Sequence, residues 1–176
     1  MSKPKFNTLA ERLQRGDETA GGQIFDYFSP QIYRFFFART NHRETAQDLT
    51  QEVFLKVVRN IQSYAAEQGD FTPWFWRIAH NALIDFFRQK KSGYLEELDQ
   101  EGENIADPSD RTVVNAELRE VMNAVRTLPA EEQELFQLHF LADLSYTDIA
   151  RITGKSEANL RVIIHRLKKK IIKHYD

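Results

Sequence analysis

The feature that most constrains this chain is an acidic stretch, residues 92–112, that is unsuited to a hydrophobic core. It reads SGYLEELDQEGENIADPSDRT and carries seven acidic side chains against one arginine, a net charge of −6. Self-repulsion and weak apolar periodicity favour an extended segment. The stretch divides the 176 residues into 1–91 and 113–176, and each part must build its own core. The sequence therefore predicts two small domains joined by an acidic linker.

Both parts have the apolar spacing of α-helices. Apolar residues recur in steps of three and four from Ala46 to Ile61, and again from Phe75 to Phe86, which predicts one buried face on each helix. The persistent apolar–polar alternation of strands is absent. The predicted fold is all-α, two small helical bundles with short loops. In the C-terminal part, helices are expected near 113–127, 131–141, 146–152 and 157–173.

Helix-start signals support this fold class. A small polar residue before a helix accepts hydrogen bonds from its first amides, and proline is favoured at the first helical position. We expect such starts at five places: Thr8 with Glu11, Ser29 with Pro30, Thr72 with Pro73, Ser145 with Asp148, and Ser156.

Composition excludes several classes of protein. Cysteine is absent, which removes disulfide scaffolds, thiol catalysis and cysteine-ligated zinc. The five histidines lack metal-site spacing, and no glycine-rich phosphate loop is present. We therefore expect no cofactor, no metal and no enzymatic activity. No segment approaches the ~20 apolar residues that span a bilayer, and the N-terminus lacks the apolar core of a secretory signal. We expect a soluble, cytoplasmic protein without membrane insertion.

Residues 146–164 have the pattern of a helix-turn-helix. Ala150 is the small residue that lets two helices cross, and Gly154 suits the turn between them. Leu160 and Ile163 are predicted to face inward. The second helix continues into a basic run that would follow a phosphate backbone, whereas a plain helical hairpin with a solvated lysine-rich face is the alternative. This run comprises Arg161, Arg166, Lys168, Lys169, Lys170 and Lys173.

Three motifs in order resemble an extracytoplasmic-function (ECF) sigma factor of bacterial RNA polymerase. AQDLTQEVFLKVVRNIQSY (46–64) is similar to the family's polymerase-docking helix, and GDFTPWFWRIAHNALIDFFRQKK (69–91) to its promoter-melting segment. Residues 128–171 resemble its −35-reading region. The resemblance covers about 20–92 and 113–173. It implies a sigma region 2 domain (1–91), an acidic linker (92–112) and a sigma region 4 helix-turn-helix domain (113–176).

The first motif carries an acidic and polar strip with one apolar anchor. The resemblance implies that this strip docks on the clamp helices of the polymerase largest subunit, where opposite charges would fix the register. An ordinary solvated helix face is the alternative. The strip consists of Asp48, Gln51, Glu52 and Leu55.

The second motif interleaves aromatic and basic residues, which suits the capture of unstacked bases. The resemblance implies that the loop before the helix holds a flipped base of the −10 non-template strand, that Asn81 helps to read it, and that basic side chains hold phosphates. Trp74 is expected in the core, while Trp76 is left open between packing and surface contact. The loop residues are Ser63, Tyr64, Gly69, Asp70 and Phe71, and the basic residues are Arg77, Arg88, Lys90 and Lys91.

The third motif implies a helix that enters the major groove of the −35 element. Ile163 stands where the family usually has an arginine, so the set of contacts differs from the family pattern. The residues expected at the −35 element are Lys155, Ser156, Glu157, Asn159, Arg161, His165, Arg166, Lys168 and Lys169, the last three of these nearer to phosphate.

The resemblance also implies the partners. These are core RNA polymerase (largest-subunit clamp helices and flap), promoter DNA that is double-stranded at −35 and single-stranded at −10, and an anti-sigma factor, with phosphorylation as the other regulatory route. The acidic linker would thread the polymerase active-site channel, unless it is a plain solvated tether. Two rival functions remain: a dimeric helix-turn-helix regulator and a helical interaction protein that does not bind DNA.

Overall fold

The computed structural model describes residues 3–91, 124, 125 and 127–172, and these residues contain helices and turns but no strand. The predicted all-α fold class is therefore confirmed. The chain separates into two compact units, Met1–Glu101 and Gly102–Asp176. The exact domain limits and the role of the acidic stretch 92–112 remain predictions, because that stretch lies outside the described residues.

The described part of the first unit, residues 3–91, contains four helices. They are α1 (Lys3–Gln14), α2 (Glu18–Thr40), α3 (Arg43–Asn60) and α4 (Phe71–Lys91). Two short 3₁₀ turns, Ile61–Ser63 and Ala66–Gln68, connect α3 to α4. α2 packs along both α1 and α3, while α4 packs against α1 and α3.

Aromatic side chains dominate the core of the first unit. Phe28 of α2 stacks on Phe75 of α4, with ring centroids 4.3 Å apart. Phe35 meets Trp76 edge to face at 5.4 Å. Trp76 is buried, which resolves the alternative in favour of packing, whereas Trp74 is half-buried rather than fully in the core. Both predicted apolar stripes face this core. The buried residues of the first stripe are Ala46, Leu49, Val53, Val57 and Ile61. In the second stripe Phe75 is buried, whereas Phe86 is half-buried.

The first three expected helix starts are wrong. Thr8 lies in the middle of α1, and Ser29 and Pro30 lie inside α2. Internal proline costs about 3 kcal/mol, but Phe28 and Ile32 on either side of it are fully buried, and their packing outweighs that cost. α4 begins at Phe71, one residue before Thr72.

The second unit contains a helix-turn-helix preceded by a short helix. Helix α5 (Ala130–Phe136) continues into a π-helical turn, Gln137–Leu141. It is followed by α6 (Tyr146–Thr153) and α7 (Glu157–Ile172), both of which pack on one another. The expected starts at Ser145 and Ser156 are confirmed, since their hydroxyls accept the amides of Asp148 (3.1 Å) and Asn159 (3.3 Å). Within the described residues no helix is long and apolar enough to cross a membrane.

Candidate functional site

The predicted docking strip lies on the solvent face of α3. Asp48, Gln51, Glu52 and Leu55 are all exposed, Leu55 by 56 % of its surface. The opposite face of the helix is buried, so the fold leaves these four side chains free to meet a partner. Glu52 forms an ion pair with Lys56 at 2.6 Å. An exposed pair of this kind contributes little to stability, so a stronger cationic partner can replace it.

Val58 extends this surface and was not predicted. Its side chain is 59 % exposed and lies three positions after Leu55, on the same side of α3. Leu55 and Val58 together form a small exposed apolar patch beside the acidic residues. The sequence did contain a signal for this surface: the segment Phe54–Val58 has more apolar residues than one buried stripe requires.

The loop between α3 and α4, residues 61–70, has little regular secondary structure. Its backbone makes two short 3₁₀ turns, and Gly69 adopts a φ of 147°, which favours glycine. Ser63 is exposed, with its hydroxyl donating to the Asn60 carbonyl at 2.7 Å. Residues 66–70 are all exposed.

Tyr64 and Phe71 lie beneath this loop rather than on its surface. Phe71 is fully buried, and its ring meets that of Tyr64 edge to face at 5.4 Å. Burial raises the pKa of Tyr64 to about 12, and the nearby carboxylates of Asp70 and Glu11 act in the same direction. In this conformation neither ring presents a face on which a base can stack.

Two side chains of α1 hold the loop, and sequence reasoning missed both. Gln14 Nε2 donates to the carbonyls of Ile61 (2.8 Å) and Tyr64 (2.7 Å). Asn7 Oδ1 accepts the amide of Phe71 at 2.9 Å, while its Nδ2 donates to Asp70 at 3.0 Å. An amide on an amphipathic helix has no local signature of such a role, because its partners lie far along the chain.

α4 presents a polar face beyond this loop. Arg77, Asn81 and Arg88 are exposed, and Lys90 is half-buried. Arg88 forms an ion pair with Asp85 at 2.9 Å. Lys91 ends the helix, and its side chain lies outside the described ones. The structure thus brings Arg77, Asn81 and Arg88 to one exposed surface, as predicted by the helical spacing.

The helix-turn-helix has the geometry its sequence predicts. Gly154 ends α6 with a φ of 73°, and its amide donates to the Ala150 carbonyl at 2.9 Å. Leu160, Ile164 and Leu167 of α7 are buried. Ile163, which was expected to face inward, is only half-buried, because Ile164 occupies the inward position four residues after Leu160.

The outer face of α7 combines polar and basic side chains. Exposed here are Ser156, Asn159, Arg161, His165, Arg166, Lys168 and Lys169. Arg161 lies over the Tyr146 ring at 4.8 Å and pairs with Glu157 at 3.4 Å. Glu157 is half-buried and accepts the Thr147 hydroxyl at 2.8 Å. These contacts hold the start of α7 against α6.

Two lysines of this region are engaged within the second unit. Lys155 pairs with Glu131, and Lys170 pairs with Glu132 at 2.7 Å, both at the start of α5. Val162 is 49 % exposed in the middle of the outer face of α7 and was not predicted. Its chemistry differs from that of its neighbours, since it offers an apolar contact between cations.

Comparison with known proteins identifies two family regions. Residues 24–93 match the model for Sigma-70 region 2, and residues 118–171 match the model for Sigma-70, region 4. The ECF RNA polymerase sigma factor BldN of Streptomyces coelicolor is 33 % identical over 162 residues, which cover 90 % of this chain and 61 % of that protein. SigM of Bacillus subtilis, also an ECF sigma factor, is 27 % identical over 150 residues, 85 % of this chain and 91 % of its own.

A solved structure shares the fold. The sigma factor RpoE from Bartonella quintana, crystallised with the anti-sigma factor NepR, matches with a TM-score of 0.70 and 18 % identity, over 88 % of this chain and 95 % of that one. The two matched regions together span more than half of the chain and contain all three surfaces described above. This protein belongs to the sigma-70 family, in its ECF group of RNA polymerase sigma factors.

Proposed function

We propose that this protein is a transcription initiation factor, not an enzyme, that binds core RNA polymerase in the cytoplasm and directs it to promoters with −35 and −10 elements. One observation carries the proposal: three exposed, chemically distinct surfaces lie within the two family regions, and each is presented by a helix whose other face is buried. A dimeric helix-turn-helix regulator would give no reason for the surfaces of the first unit.

The α3 surface is the polymerase-docking site of this proposal. Asp48 and Glu52 supply negative charge that steers the encounter with basic clamp helices. Leu55 and Val58, both more than half exposed, supply apolar area that becomes buried in the complex.

Promoter opening is assigned to loop 61–70 and α4. Opening costs a few kcal/mol for each unstacked base, which contacts with the exposed Asn81 and with phosphate-binding Arg77 and Arg88 offset in part. Tyr64 and Phe71 act here as the floor of the loop, because both rings are buried. Lys90 and Lys91 follow as further phosphate contacts.

The outer face of α7 is assigned to the −35 element. Asn159, Arg161 and His165 are assigned to base edges, and Arg166, Lys168 and Lys169 to phosphates. Val162 adds an apolar contact suited to a thymine methyl group. Lys155 and Glu157 serve mainly to hold the turn and the start of α7, since both are paired within the unit.

Regulation by an anti-sigma factor is part of the proposal. The related RpoE was crystallised with such a partner, and the exposed α3 surface would be unavailable to polymerase if a similar inhibitor covered it. Phosphorylation is the alternative route of control.

Run-off transcription from a genomic library, with core polymerase alone and with this protein added, tests the proposal. We expect new start sites that share a two-part promoter. Asn81→Ala should weaken open-complex formation more than polymerase binding, with the exposed Gln89→Ala on the same helix as the control. Binding of the free protein to palindromic duplex DNA, with unchanged start sites, would favour the dimeric regulator instead.

A further inference from the structure

Helix α1 lies outside both family regions, since the first of them begins at residue 24, yet it makes long-range polar contacts with loop 61–70. Its two contact points are about two helical turns apart. Asn7 meets the C-terminal end of the loop and Gln14 its N-terminal end. The loop is therefore held at both ends by one rigid element.

Gln14 fixes the N-terminal end. Its Nε2 carries two donors, and they reach the carbonyl of Ile61, which begins the first 3₁₀ turn, and that of Tyr64, which follows the turn. Gln62 returns the contact by donating from its Nε2 to the Gln14 carbonyl at 2.9 Å. Three hydrogen bonds thus set the position of the turn that presents Ser63.

Asn7 fixes the C-terminal end. The first amide of a helix has no intrahelical partner, and Asn7 Oδ1 supplies one for Phe71. Its Nδ2 holds the Asp70 side chain at 3.0 Å. The same side chain therefore sets both the start of α4 and the rotamer of the last loop residue.

We propose that Asn7 and Gln14 are positioning residues for recognition of the −10 element, because they fix the conformation of loop 61–70 before DNA arrives. This inference rests on the proposed function. Between the two contact points, residues 66–70 are exposed and Gly69 is permissive. Without α1 the loop would have to be ordered during base capture, and that ordering lowers affinity. Each hydrogen bond lost corresponds to a factor of about 2 to 10 in an equilibrium constant.

The test compares full-length Gln14→Leu and Asn7→Leu with the wild type in holoenzyme assembled on promoters selected from the library. Arg15→Leu, an exposed change at the residue that directly follows this helix, is the matched control. Each holoenzyme is assayed on duplex promoters, on the same promoters premelted across the −10 element, and on duplexes carrying each base substitution there. Polymerase affinity and thermal unfolding are measured in parallel.

We expect the two variants to lower open-complex formation about 3- to 10-fold on duplex promoters, to lose less on premelted promoters, and to discriminate less between −10 bases. Arg15→Leu should behave as the wild type. Asn7→Asp keeps the acceptor for the Phe71 amide but sets a second carboxylate against Asp70, so it tests the loop end with the helix cap retained. It should reduce base discrimination as well.

Two results would overturn this inference alone. One is an unchanged discrimination between −10 bases in all three variants. The other is a uniform loss on every template that parallels a fall in melting temperature, which would make both side chains purely structural. The wild-type arm tests the proposed function separately. If the wild-type protein does not redirect core polymerase, the proposed function is wrong, and this inference is wrong with it.

Discussion

At the residue scale, one carboxylate connects the first two helices. Asp17 caps α2 by accepting the amides of Thr19 (3.0 Å) and Ala20 (3.3 Å), and it pairs with Arg12 of α1 at 2.7 Å. Hydrogen bonds from the Thr19 hydroxyl and from Arg12 lower the pKa of Asp17 from 3.8 to about 2. The folded state therefore favours the ionised form of the Asp17 carboxyl group.

This lowered pKa predicts a pH-dependent stability. The contribution of Asp17 is present above its unfolded-state pKa and is lost as the pH falls from about 4 towards 2. Asp17→Asn removes the charge but keeps a good cap. We expect its melting temperature to lie below that of the wild type at neutral pH, with the gap closing on acidification. Thermal unfolding by circular dichroism checks this, with Glu18→Gln as control, and a gap independent of pH would contradict it.

Residue patterns predicted some caps and not others, for a physical reason. Ser145 and Ser156 stand directly before α6 and α7, and Gly154 marks the turn between these two helices. Thr8 and Ser29 have the same local chemistry, but the helices there are continued by distant packing partners: Phe6 of α1 packs against Phe28, and Phe28 of α2 stacks on Phe75. Cap residues therefore predicted the helix starts that neighbouring residues determine, and failed where distant packing extends the helix.

At the element scale, α3 contributes one face to the core and presents the other for the proposed docking. Its buried stripe contributes to the core, and its opposite strip is exposed, so the two faces can be altered independently. This division was predictable, because period-3.6 spacing assigns each side chain to a face. The exposure of Val58 and the loop contacts of Asn7 and Gln14 were not predictable. Both depend on the assembled bundle, and the loop contacts join residues about 50 positions or more apart in the chain.

Charge reversal on α3 should abolish polymerase binding and leave the fold intact. Asp48→Arg with Glu52→Arg replaces attraction to a basic partner by repulsion, while both side chains lie outside the core. Pull-down of core polymerase and circular dichroism are the measurements. Glu11→Arg with Asp26→Arg makes the same change in net charge at exposed sites on α1 and α2. Equal loss of binding in this control would assign the effect to overall charge.

On the outer face of α7, we expect different residues to set the affinity and the sequence specificity of −35 binding. Arg166→Ala should weaken binding to all −35 sequences alike and reduce the salt-dependence slope by about 1, as expected for one lost phosphate contact. Asn159→Ala should change preference among −35 sequences with a smaller effect on that slope. Salt titrations of holoenzyme binding to promoters and to −35 variants measure both quantities. Lys170→Ala, which removes a lysine paired with Glu132, is the comparison. A slope unaltered by Arg166→Ala would remove the phosphate assignment.

At the scale of the whole molecule, the division into two units was predictable from one charge pattern. A segment of net charge −6 separates two stretches with helical periodicity, and the chain forms two compact units whose boundary, after Glu101, lies within that segment. Under the proposed function, residues 92–112 act as a tether that keeps the second site at high effective concentration once the first is bound. The surfaces proposed for the −35 and −10 elements would then each be weak alone and selective together.

The acidity of the tether, which lies outside the described residues, yields a prediction of its own. The family resemblance implies that it threads a basic channel of the polymerase, where its carboxylates would compete with nascent RNA for the same cations. Replacing Glu96, Glu97, Asp99, Glu101 and Glu103 by their amides keeps the length and removes five charges. We expect fewer abortive products for each full-length transcript, because growing RNA then displaces a more weakly held segment.

Salt supplies the internal control for this experiment. Screening acts on the wild-type tether much more than on the neutral one, since the Debye length falls from about 10 Å at 0.1 M to about 3 Å at 1 M. The abortive ratio of the wild type should therefore approach that of the amide variant as salt increases within the range that supports transcription. If the two ratios agree already at low salt, the carboxylates make no contact that matters in the channel. The tether would then act only through its length, as a solvated connection between two independently folded surfaces.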